Sequence, residues 1–151
     1  MSSSYHVQTV LNGTINSLKS VLPFELNVQP PSLMAQPFEQ DEIGVLIGMI
    51  GDIKGRIIIN STEKVFGSIG QSMFGMAIEG EMLESFTGEL GNMIAGNLCT
   101  IVESSDMKLD ITPPTVMVGK TKFYGFTHAF KLPVQIDQAG TMNILLTIDE
   151  E

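Results

Sequence analysis

Two side chains in this sequence have the types and spacing to do chemistry together, Glu89 and Asn92. They stand three residues apart in Glu81–Ser105, EMLESFTGELGNMIAGNLCTIVESS, the longest helical pattern in the chain. Residues three apart on a helix are neighbours on one face, so a carboxylate and an amide would project side by side. The carboxylate can pair with an ammonium group. The amide carries both a donor and an acceptor, so it can hold a water in line with an electrophile. The same pair also suits an ordinary solvated surface, and on spacing alone that is the favoured reading.

The helix that positions them is amphipathic. At about 100° per residue, Leu83, Phe86, Leu90, Ile94, Leu98 and Ile101 form an apolar stripe, and Ser85, Glu89, Asn92, Gly96 and Glu103 fall opposite. Asn97 is a polar residue inside that stripe. Gly88, Gly91 and Gly96 lie in the same helix, and each costs roughly 1 kcal/mol relative to alanine. A helix carrying that cost is expected to present a bare surface where another backbone or molecule comes close.

Around it the chain divides into recognisable segments. Ser4–Leu22 has helical periodicity and stops at Pro23. Asn27–Pro37, with three prolines, is expected to be irregular or an edge segment with at most a short strand. Ile43–Asn60 predicts two strands that turn at Gly51-Asp52. Ser61-Thr62 opens a second helix that runs to Phe74 with Val65, Phe66, Ile69 and Met73 inward, and Gly75 stops it. After the long helix come a connection stiffened by Pro113-Pro114 and strands at Thr115–Val118, Phe123–Val134 and Thr141–Ile148. Short turns between adjacent strands favour antiparallel pairing, so the expected class is α+β, mainly antiparallel sheet packed against two long helices and a shorter one. The two halves share a helix-then-strands rhythm without a clear sequence repeat. The 151 residues are read as one domain.

Composition narrows the function. Eight basic against seventeen acidic residues give a formal charge of −9, and no Lys/Arg cluster exists to follow a phosphate backbone or an anionic membrane. Acidity favours a partner with exposed lysines. A single cysteine, Cys99, excludes an internal disulfide and fits a reducing compartment. The start of the chain has no signal-peptide pattern, and its longest apolar run is too short for a bilayer, so the cytoplasm is the predicted address. The sequence contains no phosphate-binding glycine loop, and His6 and His128 lack companions at metal-ligand spacing. Cys99 is read as an inert filler. The ten methionines are read first as core filler, with an adaptable binding surface as the alternative.

The stretch ESFTGELGNMIAGN resembles the CheX proteins of the CheC/CheX/FliY group of bacterial chemotaxis phosphatases. Their signature is a helix carrying Glu-x-x-Asn, here Glu89-Leu-Gly-Asn92, followed by small residues, here Met93-Ile-Ala-Gly96-Asn97. Asp110-Ile-Thr-Pro-Pro-Thr-Val and the closing Lys131-Leu-Pro133-Val are similar to the segments that follow in CheX. CheC-type members carry two such helices. Here the first helix offers Asn12 after Thr9 and Asn16 after Gly13, without the glutamate, so the resemblance is to CheX.

That resemblance implies a hydrolase acting on the aspartyl phosphate of a CheY-like response regulator. Glu89 would pair with the regulator's active-site lysine, and Asn92 would position the attacking water. Ser85, Gly88 and Gly96 would face the partner. The chain would bind no cofactor of its own, and the regulator would hold Mg²⁺. The family also implies a homodimer built through sheet edges. A module of this family that binds a regulator or a flagellar component without hydrolysing anything is the alternative.

Overall fold

The structure is a computed structural model that describes residues 3–34, 37–126 and 128–149. Its first half runs α1 (Ser3–Val21), β1 (Leu26–Val28), β2 (Ser32–Met34), β3 (Phe38–Gln40), β4 (Ile43–Gly51) and β5 (Gly55–Ser61). Helix α2 (Glu63–Phe74) follows. The second half is α3 (Glu81–Glu103), β6 (Leu109–Ile111), β7 (Thr115–Val118), β8 (Thr121–Phe123), β9 (His128–Ile136) and β10 (Gly140–Ile148). The class is α+β, as the short turns predict.

Two hairpins make the centre of the main sheet. β4 and β5 turn at Gly51-Asp52, β9 and β10 turn at Gln138-Ala139, and β5 pairs antiparallel with β10 between them. Each outer edge is then covered by two short strands. β1 and β2 both pair with β9, separated by Pro30-Pro31. β6 and β7 both pair with β4, separated by Pro113-Pro114. Proline has no N–H for a ladder, so each edge must break there and resume. Thr112 bridges its break by donating its backbone N–H to the Gly48 carbonyl (3.0 Å) and accepting the Gly48 N–H on its hydroxyl (2.8 Å).

This arrangement repeats one plan twice, which the sequence conceals. Each half is a long helix, two edge strands split by Pro-Pro, a short strand and a hairpin. The halves interlock, because the edge strands of each pair with the hairpin of the other. β3 and β8 close the pseudo-two-fold: Phe38 pairs with Phe123, and Gln40 with Thr121.

All three helices cover one face of the sheet, over a core that includes Ile43, Val45, Ile47, Ile57, Ile59, Ile144 and Leu146. On the other face a smaller cluster of Phe38, Ile58, Phe126, Ala129 and Leu145 lies beneath the β3–β8 pair. Helix α2 begins and ends as its sequence predicts: the Thr62 side chain caps Val65 N–H, and Gly75 takes the left-handed conformation at φ 74°. The Asn27–Pro37 segment holds two edge strands where at most one is expected. The predicted strand Phe123–Val134 is interrupted at 124–126, with Thr127 outside the described residues, and resumes as β9.

Candidate functional site: the exposed face of helix α3

Helix α3 is held on two sides. Towards the sheet it uses glycine. A Cβ on Gly91 would stand 2.5 Å from Cγ1 of Val45 on β4, which is fully buried, and one on Gly88 would stand 2.9 Å from Cγ2 of Val116 on β7. Only hydrogen at these positions lets the helix lie this close to the strands. Towards α1 the contact is both apolar and polar. Leu98 lies over Gly13, and the buried Ser17 hydroxyl donates to the Ile94 carbonyl (2.6 Å). Asn97 Nδ2 donates to the Ser17 hydroxyl (3.3 Å), which accounts for the polar residue in the apolar stripe. Asn97 is therefore an anchor, and its misfit in the stripe was the one sign of it in the sequence.

The side that remains free carries Ser85 and Glu89, both exposed, with Asn92 and Gly96 half-buried in line with them. Among the described residues, neither the Glu89 carboxylate nor the Asn92 amide has a hydrogen-bond or ion-pair partner. Both are presented outward by a helix that cannot readily shift. Gly88 does not share this face: it is buried under Val116, so its small size serves the helix–sheet contact and not a docking surface. The expectation of a bare surface at all three glycines thus narrows to Gly96, around which a Cβ would meet nothing within 4 Å. Gly96→Ala is expected to stabilise the protein by about 0.5–1 kcal/mol through helix propensity, raising Tm in a thermal melt by roughly 1–4 °C.

The N-terminus of α3 has a different character. Gly80 (φ 62°) gives it no side-chain cap, while Glu81 and Glu84 in the first turn interact favourably with the helix dipole. Beside this turn Phe74, Met76, Ile78, Met82, Ser85, Phe86 and Glu89 line a groove of about 490 Å³. Met82 and Met93 stand 55% and 38% exposed, so neither is the core filler expected of them, whereas Met49, Met107 and Met142 are.

The other candidates carry less. Cys99 is half-buried; burial pushes its thiol pKa up, and the carboxylates of Asp110 and Glu103 push it further, which disfavours the reactive thiolate. Among the described residues no three His, Cys, Asp or Glu side chains gather to hold a metal ion, and the side chain of His128 lies outside them. No helix among them is long and apolar enough to cross a membrane. Matching the two Pro-Pro breaks sets Gly13 opposite Gly96, Thr9 opposite Asn92 and His6 opposite Glu89. The Thr9 hydroxyl donates to the Tyr5 carbonyl (2.8 Å), so α1 offers no second carboxylate–amide pair in these places.

Residues 43–126 match the family described as chemotaxis phosphatase CheX. The CheY-P phosphatase CheX of Thermotoga maritima is 30% identical over 146 residues, 94% of either chain. Among solved structures, CheX from Vibrio vulnificus aligns at TM-score 0.77 and 26% identity, covering 95% of this chain and 98% of that one. The CheX–CheY–BeF3–Mg²⁺ complex from Borrelia burgdorferi aligns at TM-score 0.77 and 22% identity, covering 95% and 97%.

Proposed function

Given that the chain belongs to the CheX family of chemotaxis phosphatases, we propose that it hydrolyses the aspartyl phosphate of a CheY-like response regulator with Glu89 and Asn92. The observation that carries this reading is the pair itself: a carboxylate and an amide, unpartnered among the described residues, on the outer face of a helix locked from behind. Glu89 pairs with the regulator's active-site lysine and fixes how the helix enters. Asn92 then reaches the phosphoryl group, and its amide holds a water opposite the aspartate oxygen. The water oxygen bonds to phosphorus as the bond from phosphorus to the aspartyl oxygen breaks, releasing inorganic phosphate and a free carboxylate. Phosphoryl transfer asks for little covalent work from the protein, so positioning suffices. Charge on the transferring group is met by Mg²⁺ that the regulator holds, an ion present in the related CheX–CheY complex. Ser85 and the bare backbone at Gly96 border the contact on either side.

The enzyme is read as one cytoplasmic domain over residues 1–151, working as a homodimer joined through sheet edges. Leu33 on β2 and Val118 on β7, 69% and 53% exposed, are the apolar side chains those edges offer. The family's phosphatase activity favours hydrolysis over a module that only binds.

The test is the decay of a CheY-type regulator from the same organism, charged with acetyl phosphate and Mg²⁺ and then freed of the donor. Wild-type protein should speed the loss of phosphate. Glu89→Ala should raise KM by about tenfold or more and lower kcat as well, as loss of a docking ion pair that also orients the reactants would. Decay unchanged by wild-type protein would sink the proposal, and a Glu89→Ala variant with wild-type KM would remove the docking role.

A further inference from the structure

The groove beside Glu89 is built to receive something. Phe74 is the last residue of α2 and Met76 follows it, Met82 and Phe86 belong to the start of α3, and Ile78 between them is tucked against Gly70. Phe74 packs edge-to-face on Phe86, their centroids 5.5 Å apart, which holds one wall in place. Even so, Phe74 remains 60%, Met76 53% and Met82 55% exposed. Three large apolar side chains exposed side by side are uncommon on a surface with nothing to bind. Methionine lets such a surface adapt to the shape of what it meets.

Two observations identify the occupant. Glu89 lines the groove as well as belonging to the outward row of α3, so whatever pairs with Glu89 lies over the groove's mouth. The surroundings are acidic: Glu79 and Glu81, next in sequence to Ile78 and Met82, are exposed, and no lysine or arginine lines the groove. A complementary surface is an apolar side chain flanked by cations. We infer that the groove formed by Phe74, Met76, Ile78, Met82 and Phe86 seats an apolar side chain that the CheY-like regulator presents beside the lysine paired with Glu89. This rests on the docking role proposed above for Glu89. The groove then contributes affinity by burying that side chain, while Asn92, three residues further along the helix, governs the chemical step.

Met82→Asp and Met76→Asp test this, since both side chains point into solvent and a carboxylate there leaves the core untouched. Each should weaken binding to the Mg²⁺-loaded, beryllofluoride-activated regulator, read by fluorescence anisotropy, by about tenfold or more. KM for the phosphorylated regulator should rise in step, with kcat within about twofold of wild type. Met82→Leu should retain wild-type affinity, and melting curves should match throughout. If both aspartate variants bind the regulator as wild type does, the inference is wrong. If they instead split a homodimer while regulator binding stands, the occupant is a second copy and the inference is likewise overturned. Wild-type protein that neither binds nor dephosphorylates the regulator would remove the reading of Glu89 itself, a result distinct from a failure confined to the variants.

Discussion

Asn92→Ala is expected to lower kcat for regulator dephosphorylation by about a hundredfold or more, the scale of effect seen when a reacting group loses its positioning. Affinity for the activated regulator should stay within about twofold, because the docking contacts proposed above lie elsewhere on the helix. The amide has no partner among the described residues, so its removal leaves no buried group unsatisfied. Alanine is also the better helix former, so Tm should hold or rise slightly. Asn92→Asp should be no more active than Ala. It preserves shape, but it replaces the amide's donor with negative charge where the proposed mechanism sets a phosphoryl group. The decisive comparison is single-turnover decay of phosphorylated regulator at saturating enzyme. Equal rates for wild type and Asn92→Ala would place the chemistry elsewhere.

The largest effect on stability is expected at Gly91. A Cβ there meets Val45 at Cγ1 (2.5 Å), Cγ2 (3.1 Å) and Cβ (3.3 Å), and Val45 is enclosed in a central strand of the sheet. Gly91→Val adds two further carbons to that collision. The helix must lift or the strand must yield, at about 3 kcal/mol or more, with Tm lowered by roughly 6–12 °C. Gly91→Ala should fall between, since a gain of up to ~1 kcal/mol in helix propensity offsets part of the clash. Unchanged melting of Gly91→Val would mean that α3 does not lie as close to β4 as the structure has it. Dephosphorylation by folded Gly91→Val should fall as well, because tilting α3 re-aims Asn92.

Much of the fold follows from local signals. Thr62 and Gly75 mark both ends of α2, Gly51-Asp52 turns the first hairpin, and the apolar spacing of α3 locates its buried side from Leu83 to Leu98. What the pattern missed is non-local. β1, β2 and β6 are three residues each, with little alternation to detect, and exist because β9 and β4 offer them ladders from far along the chain. The helical wheel set Gly96 on the outer side, but it counts glycine as neither apolar nor polar, so it could not tell that Gly88 and Gly91 lie against strands. It also could not pair Asn97 with Ser17, since their contact depends on where α1 crosses α3. Glu89 and Asn92 stood out by their types and spacing. The groove beside them did not, because its walls come from the end of one helix and the start of the next.

Gly91 and Val45 occupy, in effect, a single shared volume. Neither position is free to drift alone as sequences diverge. A descendant of this chain that enlarges residue 91 can keep its helix in place only by shrinking residue 45, so the two should change as a compensating pair despite their distance along the chain. The route by which the scaffold can evolve is thereby tied to the aim of the residue beside it, Asn92.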